Sequence, residues 1–455
     1  MKLAIVILAA GQGKRMHSDL PKVLHTLADK PLLSHVIETA LTLKPNDVYV
    51  IYGHGGQQVR DQLQHCPVHW VEQKQQLGTG HAVAQAMPLI DDDSLVLVLY
   101  GDVPLTQPTT LQALCHPESE QALRLLTVSL DNPKGYGRIV RNAANQVTQI
   151  IEEKDADNNI RQISEVNTGI LAVPAYYLRK WLDALDTSNA QGEYYLTDVI
   201  EMAAQAGINI FTHQPESHYE VLGVNNRVQL AELERYYQKK LAMQLMEAGV
   251  TLKDPARLDI RGQVKTGFDV SIDVNVILEG DVKLGSRVTI GANTIIKNST
   301  IGDDCEILPN SLIENAEVGS NCRVGPYARL RPDTKLADQV HIGNFVEIKK
   351  TTVNTGSKIN HLSYIGDANV GSGVNVGAGT ITCNYDGVNK WPTQIGDNAF
   401  IGSGTQLVAP VSVGHNVTVG AGSTITKDAP DNGLTLSRSP QQSNPSWQRP
   451  QQKKS

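Results

Sequence analysis

The sequence predicts an α/β domain with a mostly parallel sheet, followed by a parallel β-helix. Three observations lead to this prediction. Apolar runs alternate with helical stretches in the first half, aliphatic residues recur every six positions in the second half, and glycine is concentrated in that second half. Residues 262–426 hold 22 of the 38 glycines of the chain. A length of 455 residues allows about two to three domains.

The first half alternates between two kinds of segment. Residues 3–8, 48–52 and 95–100 are apolar runs, typical of strands buried on both faces, and the helical stretches 32–43 and 80–87 lie between them. This alternation predicts a mostly parallel sheet with helices on both sides. Ligands in that class bind at the carboxyl ends of the strands.

Residues 226–248 read as a single amphipathic helix that connects two domains. Its apolar residues recur three or four positions apart with charges between them; they are Leu230, Leu233, Tyr237, Leu241 and Leu245.

The second half contains an internal repeat of six residues. This period is typical of a parallel β-helix, in which each aliphatic residue points inward and stacks on the next coil. At about 18 residues per coil, residues 262–426 would form about nine coils. We expect the glycines that follow the aliphatic residues to turn the corners; an ordinary β-sandwich is the alternative. The repeat positions are Val264, Val270, Val276, Val282 and Val288, then Val318, Val324, Leu330, Leu336, Ile342 and Ile348, then Ile395, Ile401, Leu407, Val413, Val419 and Ile425.

The repeat is interrupted once, between Val376 and Ile395. Residues 382–392 do not fit the period and are predicted to loop out, and such insertions often lie on the binding face of a repeat array. Residues 439–455 are rich in Pro, Gln, Ser and Lys and are predicted to be a disordered tail.

Charge and cysteine content exclude several classes of protein. The net charge of −7 offers no general attraction for nucleic acid or a membrane surface. The apolar run after Lys2 is short and lacks a signal-peptide cleavage site, and no other stretch is long enough to span a bilayer. The odd number of cysteines and the lack of a CxxC pair favour reduced thiols and a cytoplasmic location. The cysteines are Cys66, Cys115, Cys305, Cys322 and Cys383.

A glycine turn follows the first predicted strand. Gly11 and Gly13 precede Lys14 and Arg15, so backbone N–H groups and two cations could meet an anion at the apparent start of a helix. The segment is neither a Walker loop nor a complete dinucleotide fingerprint, because Met16 stands where a third glycine would be.

The motif LAAGQGKRM at residues 8–16, followed by LPKVL at 20–24, resembles the signature of sugar nucleotidyltransferases. Together with the hexapeptide repeat, it resembles the bacterial family of bifunctional N-acetylglucosamine-1-phosphate uridylyltransferases and glucosamine-1-phosphate acetyltransferases. The resemblance implies a Rossmann-like nucleotidyltransferase domain at 1–225, the helical linker at 226–248 and a left-handed parallel β-helix at 249–438. It also implies synthesis of UDP-N-acetylglucosamine, a precursor of peptidoglycan and lipopolysaccharide.

Asp102 is the main candidate in the first domain. It follows the apolar run 95–100, where a carboxylate could hold Mg²⁺ against phosphate oxygens, although a lone aspartate there could equally be a turn or cap residue. The resemblance implies that Asp102 and Asn225 bind Mg²⁺ and that Arg15 and Lys22 are catalytic. It further implies contacts to UTP and the sugar by Leu8, Ala9, Ala10, Gly11, Lys22, Gln73, Gly78, Thr79, Tyr100, Gly101, Asp102, Gly137, Glu152, Asn167 and Asn225, with Glu153 an alternative to Glu152.

His361 is the main candidate in the second domain. A lone histidine is more often structural, but Arg331, Lys349 and Lys350 lie on neighbouring predicted coils and could receive a sugar phosphate. The resemblance makes His361 the general base for acetyl transfer and assigns glucosamine 1-phosphate to Arg331, Lys349, Tyr364 and Asn375. It assigns acetyl-CoA to Ala378, Asn384, Tyr385, Ser403, Ala421 and Arg438, and it implies a homotrimer with shared active sites.

Two other functions compete with this prediction. One is a pyrophosphorylase for another sugar whose β-helix serves only oligomerisation or allostery, and His361 with the loop at 383–392 argues against it. The other is an inactive scaffold, against which Arg15, Lys22, Asp102 and Asn225 argue together. A nuclease or kinase is disfavoured because the motifs of neither class are present.

Overall fold

The structure is a computed structural model that describes residues 2–11, 13–53, 55–115 and 121–452. The chain falls into two compact units, one ending at Tyr237 and the other beginning at Gln238. Helix Arg227–Glu247 contains this division and confirms the helix predicted at 226–248 to within one residue at each end. The predicted domain boundaries themselves stay predictions.

The first unit alternates strands and helices as the apolar runs predict. Its strands are β1 Lys2–Ala9, β2 Thr26–Leu27, β3 Lys30–Pro31, β4 Asp47–Tyr52, β5 His69–Glu72, β6 Ser94–Tyr100, β7 Leu123–Ser129, β8 Arg138–Arg141, β9 Val147–Ile151, β10 Glu165–Pro174 and β11 Ile210–His213. Its helices are α1 Leu32–Thr42, α2 Gly56–Leu63, α3 Thr79–Ala86, α4 Pro108–Cys115, α5 Ala175–Asp183, α6 Asp198–Gln205 and the start of α7 Arg227–Glu247. Short 3-10 turns lie at Lys14–Met16, Lys22–Leu24, Met87–Leu89, Ile160–Gln162 and His218–Val221.

The central sheet has the strand order β11-β7-β10-β6-β1-β4-β5, and within the described residues β8 and β9 bring it to nine strands. β1 pairs in parallel with β4 and β6, whereas β10 runs antiparallel to both β6 and β7. Separate apolar cores cover its two faces. The predicted mostly parallel, two-sided α/β fold is confirmed, and the carboxyl ends of β1 and β6 meet at one edge.

The second unit is a parallel β-helix built from two sheets. The flat sheet consists, among the residues described, of Thr251–Leu252, Ser271–Ile272, Thr289–Ile290, Glu306–Ile307, Arg323–Val324, His341–Asn344, Lys358–His361, Asn375–Val376, Phe400–Ile401, Thr418–Val419 and Leu434–Thr435. The folded sheet forms two interleaved ladders from Leu258–Thr266, Val276–Leu284, Ile295–Lys297, Thr300–Ile301, Leu312–Glu314, Ala316–Val318, Arg329–Leu330, Thr334–Leu336, Glu347–Lys349, Thr352–Val353, Tyr364–Gly366, Ala368–Val370, Ile381–Cys383, Thr393–Ile395, Gln406–Val408, Val411–Val413 and Thr424–Ile425. A 3-10 turn lies at Pro255–Arg257.

The repeat positions form the core of this β-helix. The predicted inward residues are buried, except Val264, which is half-buried near the first coil. Paired strands are 17 or 18 residues apart, as in Ile296 with Ile313 and Leu330 with Ile348. Nine of the strands of the flat sheet begin between residues 262 and 426, so the described coils confirm the predicted number.

The expected role of the glycines is correct for only part of them. Gly356 and Gly404 do occupy left-handed corners, with φ of 73° and 70°. At other corners asparagine, which tolerates this conformation, takes the position, as at Asn293 and Asn310. Gly343 follows an aliphatic residue and has another role, because a Cβ there would lie 2.0 Å from the Asn360 carbonyl oxygen. Glycine at that position permits close stacking of coils rather than a turn.

The interruption of the repeat is confirmed as an insertion, which begins later than predicted. Val353 pairs with Val370, 17 residues on, whereas Val370 pairs with Ile395, 25 residues on. Thr382 still belongs to strand Ile381–Cys383, so the extra residues follow that strand. Residues 439–452 are exposed and form no helix or strand, and the last three residues of the predicted tail lie outside the described part.

Within the described ranges, no helix has the length and apolar character needed to cross a bilayer.

Candidate active sites

Four polar side chains predicted from distant parts of the sequence meet at the sheet edge. The Lys22 ammonium forms an ion pair with Asp102 Oδ2, and Lys22 Nζ lies 3.4 Å from Asn225 Oδ1. Arg15 Nη2 donates to the same Asn225 oxygen at 3.0 Å. The contact from Arg15 to Asn225 joins residues 210 apart in the chain. The structure therefore brings together the predicted catalytic cations and the predicted metal ligands.

The predicted helix start at the glycine turn is wrong. Lys14–Met16 is a single 3-10 turn that ends at His17, and Gly13 before it has φ of 63°. A turn this short has too few aligned peptides to act as a helix dipole, so an anion at this place would be held by side-chain cations and loop N–H groups. Gln12 lies outside the described residues.

Arg227 connects the segments that carry this cluster, and no sequence motif pointed to it. Its Nε donates to the Met16 carbonyl oxygen at 3.3 Å, and its Nη1 donates to His25 Nδ1 at 3.3 Å. Burial and the nearby Arg227 cation lower the pKa of His25, which keeps the imidazole neutral and able to accept. Arg227 thus ties the Lys22 turn to the chain that bears Asn225.

A cavity of about 570 Å³ adjoins the cluster at the carboxyl ends of β1 and β6. The polar residues Lys22, Asp102 and Gln73 line it together with Tyr100, and burial raises the pKa of the Tyr100 hydroxyl. Further predicted nucleotide residues on its wall are Leu8, Ala9, Ala10, Gly11, Gly78 and Thr79. Gly101 lies against the Leu8 backbone, to whose carbonyl oxygen it donates at 2.9 Å.

The buried amide of Gln73 is held in one orientation. Its Nε2 donates to the Gly78 carbonyl oxygen at 3.1 Å and lies 3.0 Å from His81 Nδ1. With both amide protons directed at these acceptors, the Gln73 carbonyl oxygen remains to accept from a ligand. Thr79 is less available, because its hydroxyl accepts from the Leu196 N–H at 3.1 Å.

Glu152 and Glu153 have different surroundings, which bears on the choice that the sequence left open. Glu153 Oε2 accepts from the buried Arg138 at 2.7 Å, and this hydrogen bond lowers the pKa of Glu153. Glu152 Oε1 instead faces Thr197 at 3.3 Å and lies beside Gly137, and burial raises the pKa of Glu152. Glu152 therefore has the carboxylate that is free of an ion pair. Asn167 accepts from the Gly169 N–H at 2.9 Å on the adjoining loop of β10.

The donor set fits a magnesium ion. Asp102 supplies a carboxylate and Asn225 an amide oxygen, which are hard ligands, and the Lys22 ammonium already lies against both as a stand-in cation. The described residues contain no cluster of three or more His, Cys, Asp or Glu side chains suited to a metal. Two protein oxygens leave positions for phosphate oxygens and water, as Mg²⁺ prefers.

In the β-helix, His361 belongs to a row of corner residues on successive coils. Asn344 pairs directly with His361, and the next coils place Ala378, Ser403 and Ala421 at the same offset from paired strand residues. The three small residues leave a shallow strip along the helix. Arg438 Nη1 donates to the Ala421 carbonyl oxygen at 2.6 Å, at the far end of this corner row.

Cations lie on the folded sheet just past His361. Arg331 and Lys349 occupy equivalent positions on adjacent coils; Arg331 pairs with Glu347 at 2.7 Å, and Lys349 Nζ is 3.9 Å from Asp367. Lys390, for which the sequence carried no signal, approaches Lys349 closely enough that this contact lowers the pKa of Lys390. The arrangement is a cationic patch with an incomplete set of counter-ions.

Two predicted residues are placed differently from the others. Asn375 lies on the flat sheet beside Lys358, whereas Lys349 and Tyr364 lie on the folded sheet, so one chain does not bring the predicted sugar-phosphate residues into one cluster. The Asn384 side chain is buried and already donates to Asp367 at 2.6 Å and to the Tyr364 hydroxyl at 3.4 Å.

The inserted loop is organised by one carboxylate that the sequence did not reveal. Asp386 accepts from Trp391 Nε1 at 2.7 Å and from the N–H groups of Val388 and Asn389 at 2.8 and 2.6 Å. These hydrogen bonds lower the pKa of Asp386 to about 2. A bridge from Tyr385 to Lys390 closes the loop, so the loop presents Tyr385 and Lys390 in a defined conformation.

Comparisons with known proteins match this arrangement in both units. The family described as MobA-like NTP transferase domain matches residues 5–247, the GMPPB C-terminal domain matches 260–353, and the bacterial transferase hexapeptide (six repeats) matches 392–427.

Three curated relatives cover nearly the whole chain. The protein is 56% identical over 449 residues to Bifunctional protein GlmU of Cupriavidus pinatubonensis, with 99% of each chain covered. It is 58% identical to Bifunctional protein GlmU of Methylococcus capsulatus, with 99% of this chain and 98% of the relative covered. It is 57% identical to Bifunctional protein GlmU of Marinobacter nauticus, with 98% of this chain and 99% of the relative covered.

Proposed function

The chain belongs to the family of bifunctional GlmU proteins, and we propose that the sheet edge of its first unit performs uridylyl transfer and the β-helix corner performs acetyl transfer. As a member of this family, the protein is an enzyme with two activities. It acetylates glucosamine 1-phosphate and couples N-acetylglucosamine 1-phosphate to UTP, which gives UDP-N-acetylglucosamine and pyrophosphate.

For uridylyl transfer, the supporting observation is the convergence of Arg15, Lys22, Asp102 and Asn225. An oxygen of the sugar 1-phosphate attacks the α-phosphorus of UTP, the new P–O bond forms, and the bond to pyrophosphate breaks. This reaction depends on positioning and charge neutralisation rather than on a covalent nucleophile. Arg15 and Lys22 neutralise the charge that develops on the α-phosphate and the leaving pyrophosphate.

Asp102 and Asn225 would hold Mg²⁺, which when bound supplies charge neutralisation between nucleotide and sugar phosphate. Lys22 then turns from Asp102 toward the phosphates. Gln73 offers its carbonyl oxygen to the uracil N3–H, and Glu152, without an ion pair, is placed to accept from sugar hydroxyls. Chelation of Mg²⁺ with EDTA should abolish pyrophosphate release and leave acetyl transfer unchanged. Equal loss of both activities would contradict a metal site confined to the first unit.

For acetyl transfer, we propose acetyl-CoA as the donor, lying along the strip of Ala378, Ser403 and Ala421 with Arg438 at its end. The amine of glucosamine 1-phosphate attacks the thioester carbon, a C–N bond forms, and the C–S bond breaks to release the thiolate of CoA. His361 accepts the amine proton, while Arg331 and Lys349 receive the phosphate.

A single assay tests the division of work. The protein is incubated with glucosamine 1-phosphate, acetyl-CoA, UTP and Mg²⁺, and free thiol and pyrophosphate are followed separately. H361A should lower thiol release by about a hundredfold or more, and added N-acetylglucosamine 1-phosphate should restore pyrophosphate release. Normal thiol release by H361A would remove His361 as the base.

We also propose a homotrimer with shared acetyl-transfer sites. Three consecutive corners carry large apolar side chains in the left-handed conformation, Tyr327, Phe345 and Leu362, where other coils carry asparagine or glycine. Their exposure, 53% to 63%, and the separate location of Asn375 support a neighbouring copy that covers this row and completes the site.

Asparagine suits this backbone conformation, so the triple variant Y327N/F345N/L362N tests the row without adding strain. It should sediment as a monomer and lose acetyl transfer while uridylyl transfer persists. A triple variant that stays trimeric would contradict the proposed face.

The five cysteines are free thiols, which supports the proposed cytoplasmic location.

A further inference from the structure

His361 has a polar neighbour that no predicted role explains. Asn344 lies on the preceding coil in direct register with His361, and its Oδ1 is 2.9 Å from His361 Nδ1. We propose that Asn344 is a positioning residue that fixes the His361 tautomer, with the proton on Nδ1 and the lone pair on Nε2. This inference rests on the proposed role of His361 as the base.

The chemistry follows from the two nitrogens of the ring. A neutral imidazole has one N–H donor and one acceptor nitrogen, and an amide carbonyl oxygen can only accept. Pairing of Nδ1 with Asn344 Oδ1 therefore leaves Nε2 unprotonated. The proton of the attacking amine passes to Nε2 as the C–N bond forms and the C–S bond breaks. The Nδ1–H bond to Asn344 persists in the imidazolium that results.

The surrounding backbone holds the pair at a fixed separation. The Leu362 N–H donates to the Asn344 carbonyl oxygen at 3.1 Å, and the Ser363 hydroxyl donates to the His361 carbonyl oxygen at 2.8 Å. Stacking of these coils is close, because Gly343 leaves no room for a side chain against Asn360. The position that follows His361 in the corner row is Ala378, which has no polar side-chain atom. Asn344 is therefore the polar side chain of the row that contacts the imidazole.

Three variants separate acceptance of a hydrogen bond from packing. N344L removes the acceptor at similar size, and N344D keeps an acceptor that cannot donate at neutral pH. N369L is the matched control, since Asn369 is an exposed asparagine on an outward position of the same β-helix. Steady-state acetyl transfer is measured at neutral pH with glucosamine 1-phosphate and acetyl-CoA, and thermal unfolding verifies the fold of each variant. N344A replaces N344L if the larger side chain prevents folding.

We expect N344L to lose about 10- to 100-fold in kcat with little change in either KM, because substrate binding does not depend on the tautomer. N344D should keep kcat within a few-fold of the parent, and N369L should match the parent. A structural role alone would not distinguish N344L from N344D.

Two results would overturn the inference. Full activity of N344L would show that Asn344 is dispensable, and equal loss in N344L and N344D would show that the amide does not act as an acceptor. H361A in the same assay identifies a different failure: if H361A is active, the proposed base is wrong, whereas if H361A is inactive and N344L is active, only the role of Asn344 is wrong.

Discussion

The two candidate sites are assembled over very different distances along the chain. At the sheet edge, Arg15 meets Asn225 across 210 residues and Lys22 meets Asp102 across 80 residues. At the corner of the β-helix, Asn344 meets His361 across 17 residues, one coil of the repeat. The first site depends on the topology of a whole sheet, whereas the second depends on the register of neighbouring coils. Damage to one site should therefore leave the other intact.

The largest effect is expected at the sheet edge. D102A removes the carboxylate that pairs with Lys22, and uridylyl transfer should fall by about a thousandfold or more, because charge neutralisation of the phosphates is lost. Acetyl transfer should be unchanged. The measurement is pyrophosphate release beside thiol release. Asp93, at the opposite end of β6 in an exposed ion pair with Lys2, provides the control D93A; a D102A enzyme with normal pyrophosphate release would refute the assignment.

Close stacking in the β-helix gives the next largest effect. The Cβ of G343A would lie 2.0 Å from the Asn360 carbonyl oxygen, so the coils beside His361 must separate. We expect a loss of about 3 kcal/mol in the free energy of unfolding of the β-helix, typical of overpacking, and a loss of acetyl transfer.

The matched variant G356A tests the other role of glycine. Gly356 has φ of 73°, and among the described residues no atom beyond its chain neighbours lies within 4 Å of the place that a Cβ would take. Only the left-handed backbone therefore opposes alanine, and the expected cost is about 1 kcal/mol. Denaturant titration of both variants measures the difference, and equal costs would contradict two distinct roles for glycine.

The inserted loop should show an intermediate effect confined to acetyl transfer. D386N removes one of the acceptor oxygens that bind Trp391 and the Val388 and Asn389 N–H groups. The KM for acetyl-CoA should rise about tenfold, the equivalent of one lost hydrogen bond to a charged group. V388A, at an 83% exposed position of the same loop, should have no effect. An unchanged KM in D386N would show that the loop does not depend on this carboxylate.

The pH dependence of this loop has a defined sign. The pKa of Asp386 is lowered to about 2, so the hydrogen bonds of the ionised carboxylate are fully present above its unfolded pKa of about 4. Their contribution is lost as pH falls from about 4 through 2. The KM for acetyl-CoA should therefore show no titration from this group between pH 5 and 8.

The smallest effect concerns Asp198 in the first unit. Burial raises the pKa of Asp198 to about 6, with help from Asp186 and Glu201. The protonated carboxyl is thus favoured in the folded protein, and its stabilising contribution is lost as pH rises from about 4 through 6. D198N should be more stable than the parent at pH 7.5, by about 1 kcal/mol once solvent screening is considered. Melting at pH 7.5 and 4.5 measures this; a difference that does not shrink at pH 4.5 would contradict the cause.

The accuracy of sequence-based prediction differs between the two units for a physical reason. The β-helix follows from the chain itself, because a six-residue period assigns each aliphatic residue to the core and places Ala378, Ser403 and Ala421 at one corner. The register between His361 and Asn344 was also available, since adding one coil to residue 344 gives 361. The role of Gly343 was not, because close contact between coils is invisible in a period.

In the first unit, the motif identified Arg15 and Lys22, and the end of an apolar run identified Asp102. The contact of Arg227 with Met16 and His25 could not be predicted, because it joins segments about 200 residues apart. The predicted helix start at Lys14 failed for a similar reason, since the local sequence does not show that the chain turns away after Met16.

The sequence by itself determined the two folds, the positions of the inward residues and the catalytic candidates, because hydrophobic periodicity and short motifs are local properties of the chain. Only the tertiary structure decided which carboxylate is free of an ion pair, Glu152 or Glu153, and which side chain contacts the His361 ring. Those outcomes depend on the distances between side chains from separate strands and coils, and such distances are set by packing.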